Sequence, residues 1–120
     1  EILRCRPDEF LVLSGDDSLV LPLMSLGADG AVSVAANQVP GMFREMTRAA
    51  FAGDWETARK VHFRMLPLLE ANFVESNPIP VKTSLAMMGK IKDNLRLPLV
   101  PASDETRETM AEILRELDLL

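Results

Sequence analysis

Tyrosine is absent from this chain, and cysteine, histidine and tryptophan occur once each. The single cysteine, Cys5, excludes an intrachain disulfide framework and a cysteine zinc cluster, which fits a reducing cytosol. The lone His62 has no acid or nucleophile beside it that would make it a catalytic group, and it reads as a surface or boundary residue. Thirteen basic residues against eighteen acidic ones leave a net charge of −5. The basic residues form no stripe, so nucleic acid is not an expected partner. No apolar run reaches membrane-spanning length, so no transmembrane segment is expected. There is no internal repeat, no low-complexity tract and no visible signal peptide. The first residue is Glu1, and Glu1–Arg6 reads as the tail of a helix; the expectation is a fragment of a longer protein.

Hydrophobic residues make up 48% of the 120 residues, enough for a real core in one domain or in two small pieces packed together. The organising stretch is residues 10–37. Phe10–Leu13 is apolar on both faces, which predicts a buried parallel strand. Ser14-Gly15-Asp16-Asp17 stops it, and Asp16 or Asp17 can cap the helix that follows. Leu19, Leu23 and Leu26 share one face of that helix, and Gly27 closes it. Ala31–Ala35 predicts a second strand of small residues, ended by Asn37. A strand, a crossover helix and a second strand imply parallel pairing. In such units chemistry collects where strands end, here at Ser14–Asp17 and Ala35–Asn37.

The remainder is helical. Pro40 starts a helix to about Ala52, and Gly53 stops it. Asp54 caps a long helix with Trp55, Ala58, Val61, Met65, Leu69 and Phe73 on one stripe. Pro67 lies inside that pattern and should kink or split it. Asn77-Pro-Ile-Pro80 breaks the pattern, with Asn77 as a capping residue, before a shorter helix over about Val81–Met88 that Gly89 ends. Leu95–Pro101 is extended by its prolines. Ser103 caps the last helix, with Met110, Ile113, Leu114 and Leu117 on its buried face. Residues 1–53 thus read as βα units and 54–120 as a helical annex. Two parallel strands do not make a stable sheet alone, so more strands are expected from further sequence or a partner chain.

Taken in order, Ser14–Asp17, Gly30–Asn37, Asn77–Lys82 and Leu95–Leu99 resemble the closing part of the dihydrodipicolinate synthase family. This family belongs to the pyruvate-dependent class I aldolases, which include N-acetylneuraminate lyase. The resemblance covers about Pro7 to Leu120. It implies an α/β chain made of the last two βα units of a (β/α)8 TIM barrel, followed by a C-terminal three-helix extension. Phe10–Leu13 would be strand seven and Ala31–Ala35 strand eight. That barrel takes about 200 residues or more, so the missing N-terminal part of the barrel is an implied partner.

Members of the family condense pyruvate with aspartate semialdehyde, using a strand-six lysine as Schiff base and a strand-five tyrosine as proton shuttle. Neither group is in this chain. Lys60, Lys82, Lys90 and Lys92 all fall in the annex and none follows a strand; they read as structural or surface residues. The isolated chain is therefore expected to be inactive. By the resemblance, Val32 lines the pyruvate pocket as an apolar wall; the residues alone also allow plain core packing. Gly15 and Asp16 match the loop facing the second substrate, where glycine permits close backbone approach. Capping by Asp16 is the other reading, and both hold if one aspartate caps while its neighbour faces the pocket. Asn77 is implied near the barrel mouth, and Leu26 at a dimer–dimer contact of a homotetramer. No third ligand stands near Asp16 and Asp17, so no metal is expected there, and the resemblance implies chemistry without a cofactor. The implied setting is cytoplasmic biosynthesis of lysine and diaminopimelate. The rivals are another pyruvate aldolase of the same superfamily and a non-catalytic helical assembly module.

Overall fold

Asp29 and Val32 donate their amide hydrogens to the carbonyls of Val12 and Ser14, both at 2.8 Å. Between these two bonds lie the strands β1 (Leu13–Ser14) and β2 (Gly30–Ala31), paired in parallel with Leu13 opposite Gly30 and Ser14 opposite Ala31. The computed structural model describes residues 1–120 and separates into two compact units, Glu1–Phe63 and Arg64–Leu120. The chain is α/β, with six helices: α1 (Ile2–Cys5), α2 (Val20–Ser25), α3 (Pro40–Phe51), α4 (Trp55–Ala71), α5 (Ile79–Met87) and α6 (Asp104–Glu116). Short 3-10 turns at Asp17–Leu19 and Ala35–Asn37 follow the two strands. No helix is long and apolar enough to cross a membrane.

Parallel pairing is as expected, but both strand positions are corrected. The first does not span Phe10–Leu13, and the second lies earlier than Ala31–Ala35. Past Val32 the backbone leaves the ladder, because the Asp17 carboxylate takes the amides of Val34 and Ala35. Nor is the first strand buried: Phe10, Leu11 and Leu13 are 56%, 69% and 49% exposed. A two-stranded sheet has no neighbouring strand to cover those faces. On α2 the inward face is Val20, Leu21 and Met24, whereas Leu19 and Leu26 point outward. The face shared by Leu19, Leu23 and Leu26 is therefore not the core face.

Helix boundaries follow their chemical signals. Pro40 occupies the first turn of α3, where a missing amide costs nothing. Gly53 takes a left-handed φ of 77° between α3 and α4, a conformation that a Cβ would strain. Asp54 accepts from the Thr57 amide at 3.1 Å and caps α4. Of the two outcomes expected at Pro67, a kink or a split, the split does not occur: α4 runs as one helix to Ala71. Met65, Leu68 and Leu69 around it are at most 1% exposed, and their burial offsets the roughly 3 kcal/mol an interior proline costs. Phe73 falls beyond the helix end and is 50% exposed, so it leaves the buried stripe.

In the second unit α5 packs on α6. Ser103 caps α6 as expected, its hydroxyl accepting from the Thr106 amide at 3.2 Å. Glu75 in turn accepts from the Ser103 amide and hydroxyl at 3.0 and 2.8 Å. Met110, Leu114 and Leu117 form the buried face of α6, with Ile113 at its margin. Asn77 does not cap α5. The N-cap position belongs to Pro78, and Ile79 donates instead to the Ser76 carbonyl.

Candidate functional site

Both strands of a parallel pair end on the same side, and here that side gathers the polar loops. Ser14 is 2% exposed, and its hydroxyl donates to the Asp16 carbonyl at 2.8 Å. This short ring turns the chain after β1. Asp16 then caps the 3-10 turn, accepting from the Ser18 amide at 2.9 Å and the Ser18 hydroxyl at 2.7 Å. The hydroxyl bond is the main reason the Asp16 carboxyl titrates below its ordinary value. Of the two aspartates weighed as caps, Asp16 is therefore the one that caps.

Asp17 turns the other way. It is 2% exposed, and Oδ2 accepts from the Val34 amide at 3.0 Å and the Ala35 amide at 2.8 Å. Its second oxygen, Oδ1, is buried without a hydrogen-bond partner in this chain. From sequence Asp17 reads as a possible cap or as the neighbour of a cap that faces the pocket; its grip on the Val34 and Ala35 amides is not expected. The available signal was a second carboxylate directly after the cap, with a strand end one crossover away.

Val32 stands at the end of β2, its amide bonded to the Ser14 carbonyl and its side chain 70% exposed. It is not packed into a core. Gly15 is exposed, and a Cβ built on it would meet nothing within 4 Å. Ser33 accepts from the Ala36 amide at 2.9 Å, and Asn37 donates to the Val34 carbonyl at 3.0 Å, which fixes the turn after β2. Val32, Gly15 and Asp16 are thus brought to one end of the strand pair. Asn77 belongs to the second unit, where it is exposed. This end presents an exposed valine, exposed backbone and one exposed carboxylate, Asp16, with the Asp17 carboxylate buried beside it; no lysine lies in these loops. Lys82 donates to the Asn94 carbonyl. No group of three His, Cys, Asp or Glu side chains could hold a metal ion.

A second concavity lies in the first unit. Leu21, Pro22, Ser25, Trp55, Arg59, His62 and Phe63 line a groove of about 590 Å³. His62 is 7% exposed, a correction to its expected surface or boundary position. It stands edge-on to Phe63 at 5.5 Å, and burial pushes its pKa down.

Comparison with known proteins gives a consistent result. The family model described as the dihydrodipicolinate synthetase family matches residues 1–117. The chain is 53% identical over its whole length to the 4-hydroxy-tetrahydrodipicolinate synthase of Koribacter versatilis, of which it covers 40%. The dihydrodipicolinate synthase structure from Aquifex aeolicus matches 98% of this chain and 40% of its own, with a TM-score of 0.95 and 44% identity. The chloride-inhibited enzyme from Acinetobacter baumannii, described as complexed with pyruvate, matches 92% of this chain and 38% of its own, at a TM-score of 0.89 and 40% identity. The chain spans about 40% of the length of the curated relatives it matches.

Proposed function

We propose, since the chain belongs to the dihydrodipicolinate synthetase family, that it is the C-terminal part of a 4-hydroxy-tetrahydrodipicolinate synthase. The intact protein condenses pyruvate with aspartate semialdehyde through a lysine Schiff base, in cytoplasmic lysine and diaminopimelate biosynthesis. The reactive amine and the proton-shuttling tyrosine come from polypeptide outside these residues, and this chain alone is inactive. β1 and β2 are strands seven and eight of a (β/α)8 barrel, and residues 54–120 are its helical extension. Val32 forms an apolar wall beside the pyruvate carbons. Gly15 and Asp16 face the second substrate, and Asn77 stands near the barrel mouth. The assembly is a homotetramer, with the outward Leu26 at a dimer–dimer contact.

The observation that carries this reading is the parallel pairing of β1 and β2 with Val32, Gly15 and Asp16 at one end. In barrels of this kind the C-terminal ends of the strands hold the chemistry. The apolar faces of Phe10, Leu11 and Leu13 suit a strand covered by further barrel strands. Borohydride reduction of the full-length protein with pyruvate tests it. A lysine adduct together with turnover of aspartate semialdehyde is expected. An adduct without that turnover indicates another pyruvate aldolase, and no adduct refutes the Schiff-base enzyme altogether.

A further inference from the structure

We propose that Asp17 is a positioning residue for the pyruvate pocket, acting through the backbone of Val32–Ala35. The inference rests on the reading of Val32 as a pyruvate-lining residue. Val32 is 70% exposed, so packing within this chain does not orient it. Its direction is set by its backbone. That backbone is held on one side by the ladder bond from the Val32 amide to the Ser14 carbonyl. Two residues later it is held by the Asp17 carboxylate, through the amides of Val34 and Ala35. Val32 and Ser33 are therefore a two-residue span pinned at both ends, and one of the pins is a side chain from the other strand's loop.

The form of that pin argues against simple reinforcement. A buried carboxylate bonded through one oxygen, with Oδ1 unpartnered and no ion pair formed, is a costly way to tie a loop. A carboxylate bond to two amides is shorter and stiffer than a neutral one. Stiffness of the wall matters because small displacements of binding groups carry large rate and affinity penalties.

Asp29 supplies a matched control. It accepts from the Val12 amide at 2.8 Å and pairs with Arg6 at the opposite end of the same two strands. The test uses the full-length protein with Asp17→Ala, Asp17→Asn and Asp29→Asn, reading pyruvate KM, kcat and thermal midpoint. Asp17→Ala is expected to raise pyruvate KM about tenfold or more. Asp17→Asn should fall between it and the parent, since one carboxamide oxygen can still accept both amides. Asp29→Asn should lower the thermal midpoint and leave pyruvate KM unchanged. Should Asp17→Ala not fold, Asp17→Asn decides alone. The proposal is overturned if the Asp17 variants lose stability at unchanged pyruvate KM, or if Asp29→Asn raises KM equally. A parent protein that forms no pyruvate adduct also overturns it, and that outcome is distinguishable because the proposed function fails first.

Discussion

The two ends of the β1/β2 pair are closed by the same device, an aspartate that reaches seventeen residues along the chain to take backbone amides of the other strand. Their surroundings differ. Asp29 is 29% exposed at the side chain and shares its charge with Arg6. The Val12 amide, and after it Arg6, hold its carboxyl below the usual range. Asp17 is buried, forms no ion pair and grips two successive amides. Water and a guanidinium screen the first tether; the second acts where the dielectric is low and geometry is stiff. A barrel separates duties in this way, with stability at the N-terminal ends of the strands and chemistry at the C-terminal ends.

The largest effect should come from removing the buried tether. Asp17→Ala in the full-length protein is expected to cost about 3 kcal/mol of unfolding free energy, because two charge-assisted bonds to buried amides are lost. Denaturant titration measures this, and a loss below that of Asp29→Ala would reverse the ranking of the two ends. Gly30→Ala should come next. Gly30 sits opposite Leu13 with φ at 148°, and an added Cβ would meet Leu13 Cδ2 at an ordinary 3.5 Å. The cost is therefore backbone strain, about 2 kcal/mol, with kinetics unchanged.

A third test separates the ends by pH. Asp29 has a depressed folded pKa, so its stabilisation is complete above the ordinary carboxylate value and is lost as pH falls through the folded one. Asp29→Asn should lower the thermal midpoint at neutral pH. The gap to the parent should hold its size down to about pH 5 and close as pH falls from about 4, the ordinary carboxylate value, through the lower folded one. A gap of constant size would mean that the tether works through its shape and not its charge.

The same contrast explains which parts of the structure were readable from sequence. Pro40, Gly53, Asp54 and Ser103 act within one turn of their own position, and each marks its helix end where expected. The parallel pairing followed from the crossover pattern alone. The strand limits did not, because β2 ends where Asp17, far back in the chain, captures Val34 and Ala35. The burial of Phe10–Leu13 was misjudged for a related reason: apolar patterning reports what a strand will contact, and these residues contact little within this chain. Asp16 and Asp17 are adjacent and chemically identical. Only the Ser14 ring, which fixes the direction of the turn, makes one a surface cap and the other a buried clamp.

Gly15 should give the smallest effect and the narrowest test. Its φ lies outside the left-handed range and nothing stands within 4 Å of a built Cβ, so this chain does not itself require glycine there. Gly15→Ala should then leave the thermal midpoint unchanged or raise it slightly, through a less flexible unfolded chain. If the loop after β1 faces the second substrate, the added methyl intrudes only when that substrate is bound. The expected result is a rise of about threefold or more in KM for aspartate semialdehyde at constant pyruvate KM, which is loss of binding confined to one ligand. Constancy of both would remove Gly15 from the site and leave the loop to its neighbours, Asp16 as cap and Asp17 as clamp. A rise in both would mean that the backbone between Ser14 and Asp17 had shifted, and the clamp with it.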